Sequence, residues 1–319
     1  MGKYDSGAVC RALQQAEESS EEIEQEYIKE QLEQLRQCAN SSEEVYQILE
    51  KYDVPNTMMN VMAVESMMKN RNQLFKQLFE NRKEDNDITP EDIQAIKEDL
   101  LEEFGEAVAE PEEMAEAQET LGKVAENVMK IMIESDEVTS IDVKEMRLMQ
   151  AKLSIGTLFA KKERYDIPVL VGDEVTNVSL KIVRGVDTKG IVDIMLESQM
   201  KGKIAATFQA KEEGISGLIA TDDAQTRELL AGNLGMFAAA LQEDTEQAVD
   251  FRVAYMKDLD LNHFSGTALH SAQNAYRAEN GVGREAAPED TDAAASYRVQ
   301  TTRLYHIAES FLKVVKELS

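Results

Sequence analysis

The chain has three histidines, His263, His270 and His306, and their spacing does not suit a metal site. A structural zinc site takes four nitrogen or sulfur ligands, usually in pairs about two to five residues apart. His263 and His270 are separated by six residues, and no cysteine lies near them. We therefore predict that the histidines are surface or capping residues and that none of them binds a metal.

A second stretch has the beginning of a calcium-binding loop. Asp258, Asp260 and Asn262 match the first ligand positions. The sixth position, which requires Gly, is His263, and the twelfth is Leu269 rather than Glu. Residues 185–190 begin and end with Gly, but no Lys-Ser or Lys-Thr pair follows, as a phosphate-binding loop requires. We expect no bound metal and no cofactor.

Nucleophilic catalysis also lacks a recognisable motif. The chain contains neither Gly-Xaa-Ser-Xaa-Gly nor His-Glu-Xaa-Xaa-His, and Cys10 and Cys38 have no plausible histidine partner. Two cysteines do not make a disulfide framework and fit helix faces in a reducing cytoplasm. The sequence therefore predicts a protein that is not an enzyme.

Charge and hydropathy limit the partners and the location. The net charge is −27, and residues 1–135 hold 32 acidic against 13 basic residues, a net −19. Such a surface repels nucleic acid, so it serves either solubility or contact with a basic partner. The chain has no apolar run long enough to span a membrane and no apolar signal core near Met1. We expect a cytoplasmic protein that does not insert into membranes; export without a cleavable signal stays open.

Apolar residues recur at helical spacing through the first half of the chain. Ser41 with Glu44 forms a capping-box pattern, and the helix that it opens should stop before Pro55. Thr89 and Pro90 form a second helix start. The pattern predicts helices at about 6–39, 41–54, 57–80, 89–105, 111–134 and 140–164.

The helix predicted over 57–80 is unusually rich in methionine. Met58, Met62 and Met67, with Phe75 further along, belong to an apolar arc that is too wide for a one-sided surface helix. Two roles stay open for these four side chains. They belong to the core, or they form an adaptable groove that binds a partner.

Between 166 and 256 the hydrophobic period changes to two, which is typical of strands. A helix opened by residues 221–223 and a last strand over 251–255 follow the first four predicted strands. Those four lie at 178–182, 192–196, 204–208 and 214–220. We predict an α+β fold in which a small, mostly antiparallel sheet is covered by one helix.

The rest of the chain is predicted to be a linker over 258–296 and a helix over 297–319. Leu304 and Phe311 lie on a heptad seam of that helix, which packs on its own domain or pairs with another chain. The predicted organisation is a helical region at 1–164, an α+β domain at 165–257, the linker and the last helix. The helical region is subdivided into a long helix over 1–40, a bundle over 41–134 and a connecting helix over 140–164.

The α+β region resembles a known domain. The strands Leu180-Lys181-Ile182-Val183, Gly190-Ile191-Val192-Asp193-Ile194 and Lys203-Ile204-Ala205-Ala206-Thr207-Phe208 are followed by a Leu-rich helix from Arg227 to Leu241. Strands and helix in this order are similar to the C-terminal domain of flagellar hook-length control proteins. The whole chain also resembles a bacterial family that joins such a domain to a helical N-terminal part.

The resemblance implies a protein-binding role in flagellar type III export, in which the domain contacts the cytoplasmic part of the export-gate switch protein. Arg184 and Lys189 stand where the family has its turn before the second strand, and they are candidate partner contacts. The alternative function is an acidic helical scaffold or a chaperone-like adaptor that uses the methionine-rich helix. In that case the sheet only anchors the fold.

Overall fold

A computed structural model describes most of the chain, and it divides into two compact units, Met1–Glu65 and Ser66–Ser319. The described residues are 28–29, 32–33, 35–36, 38–79, 90–108, 110–134, 140–171, 174–184, 190–211, 214–243, 248–262, 264 and 299–317. Much of the helix predicted over 6–39 lies outside these residues. The residues between 28 and 39 that are described are helical.

In the first unit, helix α1 (Glu43–Lys51) is capped differently from the prediction. Its N-cap is Ser42, without a side-chain cap, whereas the hydroxyl of Ser41 donates to Glu65 at 3.1 Å. The helix stops before Pro55, as predicted, because Asp53 takes a left-handed φ of 54° and Val54 N–H donates to Leu49 C=O. This is the usual backbone solution for a helix C-terminus.

The helix predicted over 57–80 is two helices, α2 (Met58–Lys69) and α3 (Gln73–Phe79). At the break, Asn72 donates a side-chain hydrogen bond to the carbonyl of Glu197 at 2.7 Å and accepts one from Asn177 N–H at 2.8 Å. These bonds to the sheet hold the turn at residues 70–72. A tertiary contact thus overrides the helical pattern of the local sequence.

Three long helices follow near the predicted positions, α4 (Pro90–Ala107), α5 (Pro111–Glu134) and α6 (Ser140–Ala160). The predicted cap at Thr89 lies outside the described residues. Helix α6 ends four residues earlier than predicted, because Glu163 takes a left-handed φ of 55° and the chain then enters a strand. Buried apolar residues of all three helices belong to the core that the sheet shares.

The sheet confirms the α+β prediction. It has six strands in sequence order; the first four neighbouring pairs are antiparallel and the last pair is parallel. The strand β1 was not predicted, because Tyr165 to Pro168 resembled the helix stop at Tyr52 to Pro55. The strands are β1 (Arg164–Val171), β2 (Glu174–Arg184), β3 (Gly190–Ser198), β4 (Gly202–Lys211), β5 (Gly214–Thr221) and β6 (Ala248–Tyr255).

Two more helices complete the second unit, α7 (Ala224–Glu243), between β5 and β6, and α8 (Val299–Glu317). Asp223 caps α7, as predicted, by accepting the N–H of Thr226 at 2.6 Å. Both helices pack on one face of the sheet, which we call the core face, through the rings of Phe208, Phe237, Phe251 and Phe311, whose centroids lie 4.6–5.6 Å apart where they contact.

Two glycines make this packing possible. A Cβ at Gly217 would come within 2.3 Å of the ring of Phe208, its neighbour across the strands. A Cβ at Gly190 would come within 2.5 Å of Leu304 on α8. Since real Cβ atoms do not approach this closely, any larger residue at either position would push a ring or a helix off the core face.

The seam of α8 is buried against its own domain. Leu304, Ala308, Phe311 and Val315 lie in the shared core, which confirms one of the two roles predicted for this helix. The described residues of α4–α6 and α8 therefore belong to one core with the sheet, and the predicted boundary at 164 separates elements that pack together. The self-association proposed through this helix would require the seam to leave that core.

We expect truncation of the α8 anchor to destabilise the second unit strongly. Phe311→Ala removes a buried ring that contacts Phe208 and Phe237, so the free energy of unfolding should fall by about 3–5 kcal/mol. Phe311→Leu, which keeps most of the volume, should cost about 1–2 kcal/mol. Urea denaturation followed by circular dichroism measures both, and equal losses for the two variants would contradict this role.

Candidate interaction surface

The face of the sheet opposite the core face, called here the second face, carries a row of polar side chains. Strand register places Lys181, Asp193 and Thr207 side by side across three strands. Alternation predicts that such residues face solvent, yet Asp193 is 2% exposed and Thr207 is fully buried. The other buried polar side chains on this face are Asn177, Ser179 and Gln209.

Asp193 is the charged centre of the second face. Its carboxylate accepts a hydrogen bond from the Thr207 hydroxyl at 2.7 Å and lies 3.6 Å from the Lys181 ammonium. A buried carboxylate is tolerated only when such partners replace its hydration. The side-chain oxygen of Gln209, two residues along β4 from Thr207, has no hydrogen-bond partner among the residues that the structure describes.

At one corner of this face Arg71 holds together separate parts of the chain. Its guanidinium donates to Asn262 at 2.7 Å, and its backbone carbonyl accepts from the side chain of Asn177 at 3.0 Å. Burial lowers the pKa of Arg71, while the nearby carboxylate of Asp166 opposes that shift. The arginine thus links the turn after α2 to the sheet and to the segment that follows β6.

That segment corrects the predicted start of the linker. Leu259, Leu261 and Phe264 are buried over Ala205 and Ala220 of the second face. The segment is further shaped by Asp260, which accepts the N–H of Asn262 at 2.9 Å. Residues 257–262 and 264 therefore belong to the folded unit; the remainder of the predicted linker, through 296, lies outside the described residues.

A second charged cluster joins α8 to the strands at the sheet's edge. Glu163 accepts from Arg184 Nε at 2.8 Å and from the Tyr305 hydroxyl at 3.1 Å. The hydroxyl of Tyr165 lies 2.9 Å from that of Tyr305. Because Tyr305 has one proton and gives it to the carboxylate, Tyr165 donates to Tyr305. Burial and the neighbouring carboxylate of Glu163 raise the pKa of Tyr305, and burial raises the pKa of Tyr165, so both hydroxyls are protonated at neutral pH.

The predicted contact residues fall into two groups. Phe75, Leu304 and Phe311 are buried in the core, so their side chains offer no contact area in this arrangement. The methionines at 58, 62 and 67 are partly exposed on α2. Arg184 is exposed but is engaged by Glu163. Lys189 lies outside the described residues.

An exposed apolar surface on α7 was missed by the sequence reasoning. Leu230, Phe237 and Leu241 are buried on one side of this helix, while Leu229 and Met236 on the other side are 39% and 54% exposed. A signal was present, because no charged residue occurs from 229 to 242 in a chain of which 30% is charged. Helical spacing of apolar residues identifies only the buried side of this helix.

A cavity of about 40 Å³ lies among α4, β1 and α8, lined by Phe104, Pro168 and Lys316 among others. Ligand pockets usually measure about 300–1,000 Å³. The described residues contain no group of acidic, histidine or cysteine side chains arranged to hold a metal. Among the described helices, none is long and apolar enough to cross a membrane.

Comparisons with protein-family models, with curated proteins and with solved structures found no match.

The Arg71 link predicts a local effect when it is removed. Arg71→Ala leaves Asn262 and Asp166 without the guanidinium, so we expect a loss of about 2–4 kcal/mol in unfolding free energy. Amide hydrogen exchange at residues 259–262 should accelerate more than exchange in the middle of β3. Arg71→Lys keeps the charge and should retain part of the protection; uniform acceleration across the sheet would argue against a local link.

Lys152 on α6 predicts a pH effect on stability. Its side chain is 1% exposed, donates to Gln73 at 3.1 Å, and burial lowers its pKa to about 8. An unfolded lysine titrates near 10.4. Below pH 8 the buried ammonium therefore lowers the unfolding free energy by its full amount, and this destabilisation disappears as the pH rises from about 8 to about 10.4.

Lys152→Met should therefore raise the unfolding free energy at pH 7, by up to about 3 kcal/mol. The difference from the wild type should shrink as the pH approaches 10. Urea denaturation between pH 6.5 and 10 measures it. The exposed Lys130, replaced by Met, is the control and should show no such pH dependence; a Lys152→Met variant that is less stable at every pH would contradict the lowered pKa.

Proposed function

We propose that this chain is a non-enzymatic protein-binding protein of the hook-length control type, which acts in substrate switching of flagellar type III export. The supporting observation is the order of elements in the second unit. Antiparallel strands β2, β3 and β4 are followed, after β5, by the capped helix α7 and then by β6. The three strands and the helix follow one another as in the family that the sequence resembles.

The placement of α7 adds to this support. Its buried side packs against the same core face that β2–β4 build, through Phe237 and Phe208, whose ring centroids are 5.3 Å apart. The Leu-rich helix after three strands, which carries the resemblance, thus packs with those strands as one unit. Its strands could present their turns and edges to a partner while the helix keeps the sheet rigid.

Arg184 is the predicted contact that the structure leaves at the surface of this unit. It is the last residue of β2, and its side chain is 50% exposed. An exposed cation at the edge of a predominantly acidic chain is suited to an acidic site on a partner. Its ion pair with Glu163 holds the guanidinium in one orientation, so a partner would meet a prepositioned group.

The proposal predicts that purified full chain binds the cytoplasmic domain of the export-gate switch protein. Arg184→Gln should weaken that binding several-fold and reduce its salt dependence, because a charge at the rim of an interface mainly affects association. Biolayer interferometry at two salt concentrations measures both. Glu163→Gln is the matched variant: it breaks the same ion pair but keeps the Arg184 charge.

If Arg184 contacts the partner, Glu163→Gln retains the affinity of the wild type while Arg184→Gln weakens binding several-fold. Equal losses of affinity in the two variants would mean that Arg184 supports binding only through its ion pair with Glu163, by stabilising the fold. Absence of binding by the wild-type chain, together with normal hook length in a deletion strain, would overturn the proposed function. Lys123→Gln, on an exposed helix face, controls for a general effect of charge.

The adaptor function is the second candidate, and the partial exposure of the α2 methionines favours it. Methionine side chains adapt to varied apolar partners. A photo-crosslinking residue at Met62 separates the two functions when compared with one at Arg184. Partners captured in cells through position 62 alone support the adaptor, whereas capture of the export-gate domain through position 184 supports the hook-length type.

A further inference from the structure

Among the described residues of the second unit, none buries the outer side of α7. Leu229 and Met236 are exposed there, along with Gly232, Gly235 and Ala239. We call these five residues the α7 outer face. The buried side of the helix supplies its contacts to the core through Leu230, Phe237 and Leu241, so the packing of the described residues does not use the outer face.

The two glycines of the outer face, Gly232 and Gly235, border open space. A Cβ at Gly232 or at Gly235 would meet nothing within 4 Å, in contrast to Gly190 and Gly217, where side chains of the same unit fill the space. A glycine inside a helix costs about 1 kcal/mol relative to alanine. Nothing within the described fold compensates for that cost, and the glycines leave a notch in the helix surface.

We propose that the α7 outer face binds the same face of a second copy of this chain, with the two helices antiparallel about a twofold axis. The face supplies both halves of such a contact. Met236 protrudes by one helical turn from the notch at Gly232. With the axis at residue 234, Met236 of each copy enters the notch at Gly232 of the other, and Leu229 lies opposite Ala239.

An interface of this kind is self-complementary, as a twofold dimer requires, because residue i contacts residue j and j contacts i. Close approach of two helices at small residues is a familiar packing solution. A heterologous partner would need a notch and a protruding side chain at matching positions, whereas a second copy brings both. A second copy is therefore the occupant that this face fits best.

Charge also favours this face over the rest of the surface. Each copy has a net charge of −27, so two copies repel one another through most of their surfaces. From 229 to 242 the helix has no charged residue. The outer face is therefore a place where two copies can meet without bringing carboxylates together, and added salt should strengthen the contact by screening the remaining repulsion.

The size of the face sets the strength of the dimer. A helix of 20 residues is about 30 Å long, and one side of it offers less than the roughly 800 Å² per partner of a standard interface. We therefore expect a weak dimer that forms at micromolar or higher concentration. This inference concerns self-association and does not depend on the proposed function.

Sedimentation equilibrium of the full chain, at about 5–500 µM and at low and high salt, tests the proposal. Gly232→Met fills the notch and Met236→Gly removes the side chain that enters it. Each should weaken dimerisation at least about tenfold, which corresponds to about 1.4 kcal/mol. The double variant Gly232→Met/Met236→Gly exchanges the two features between positions that face each other, so it should recover dimerisation to within about threefold.

The double variant is the decisive measurement because it keeps the composition of the helix. Gly122→Met is the matched control, since Gly122 also has no neighbour within 4 Å of its Cβ position but lies on α5; it should leave association unchanged. Thermal melts confirm that each variant is folded. A chain that stays monomeric throughout, single variants that dimerise normally, or a double variant that remains monomeric would each overturn the proposal.

Discussion

The fold of the second unit depends on the need to cover the core face of the sheet. Strands β2 to β5 present a continuous apolar surface, and Phe208 at its centre is buried against rings from α7, β6 and α8. Neither helix covers this surface alone. The ring of Phe311 comes from the last described helix and that of Phe237 from the helix between β5 and β6, and they meet each other at 5.6 Å over the ring of Phe208.

The period of two located the strands because alternating side chains on the core face are apolar almost without exception. It did not locate β1, where Pro168 interrupts the pattern and lies at an edge strand, the position in a sheet that tolerates proline. It also could not tell how the second face is buried. Asp193 and Thr207 are polar, so alternation assigns them to solvent, and only the register of neighbouring strands shows that they satisfy each other.

The positions of the helices in the first half of the chain could be predicted from the sequence, but the elements on which they pack could not. The spacing of apolar residues in α4, α5 and α6 predicted their positions, yet no local pattern indicated that they share a core with the sheet. The break between α2 and α3 comes from Asn72 bonding to β2 and β3, a contact more than a hundred residues away in sequence. Of the candidate contact residues, those with the strongest apolar pattern proved to be core, as burial favours large side chains.

Both proposals use parts of the unit that the core leaves over. Arg184 lies at the end of β2, paired with Glu163, and the outer side of α7 lies beyond the aromatic cluster. The two surfaces belong to different strands and helices, so occupation of one does not require the residues of the other. A chain that meets a partner at the end of β2 therefore keeps its α7 outer face available to a second copy.

The late position of α8 in the chain has a consequence for biosynthesis. β6 ends at Tyr255 and α8 begins at Val299, so at about 5–20 residues per second the ribosome needs roughly 2–9 seconds to make the intervening segment. During that time the strands exist without the helix that supplies Phe311 and Leu304. Nascent chains therefore expose part of the aromatic surface of the core face until α8 has been made.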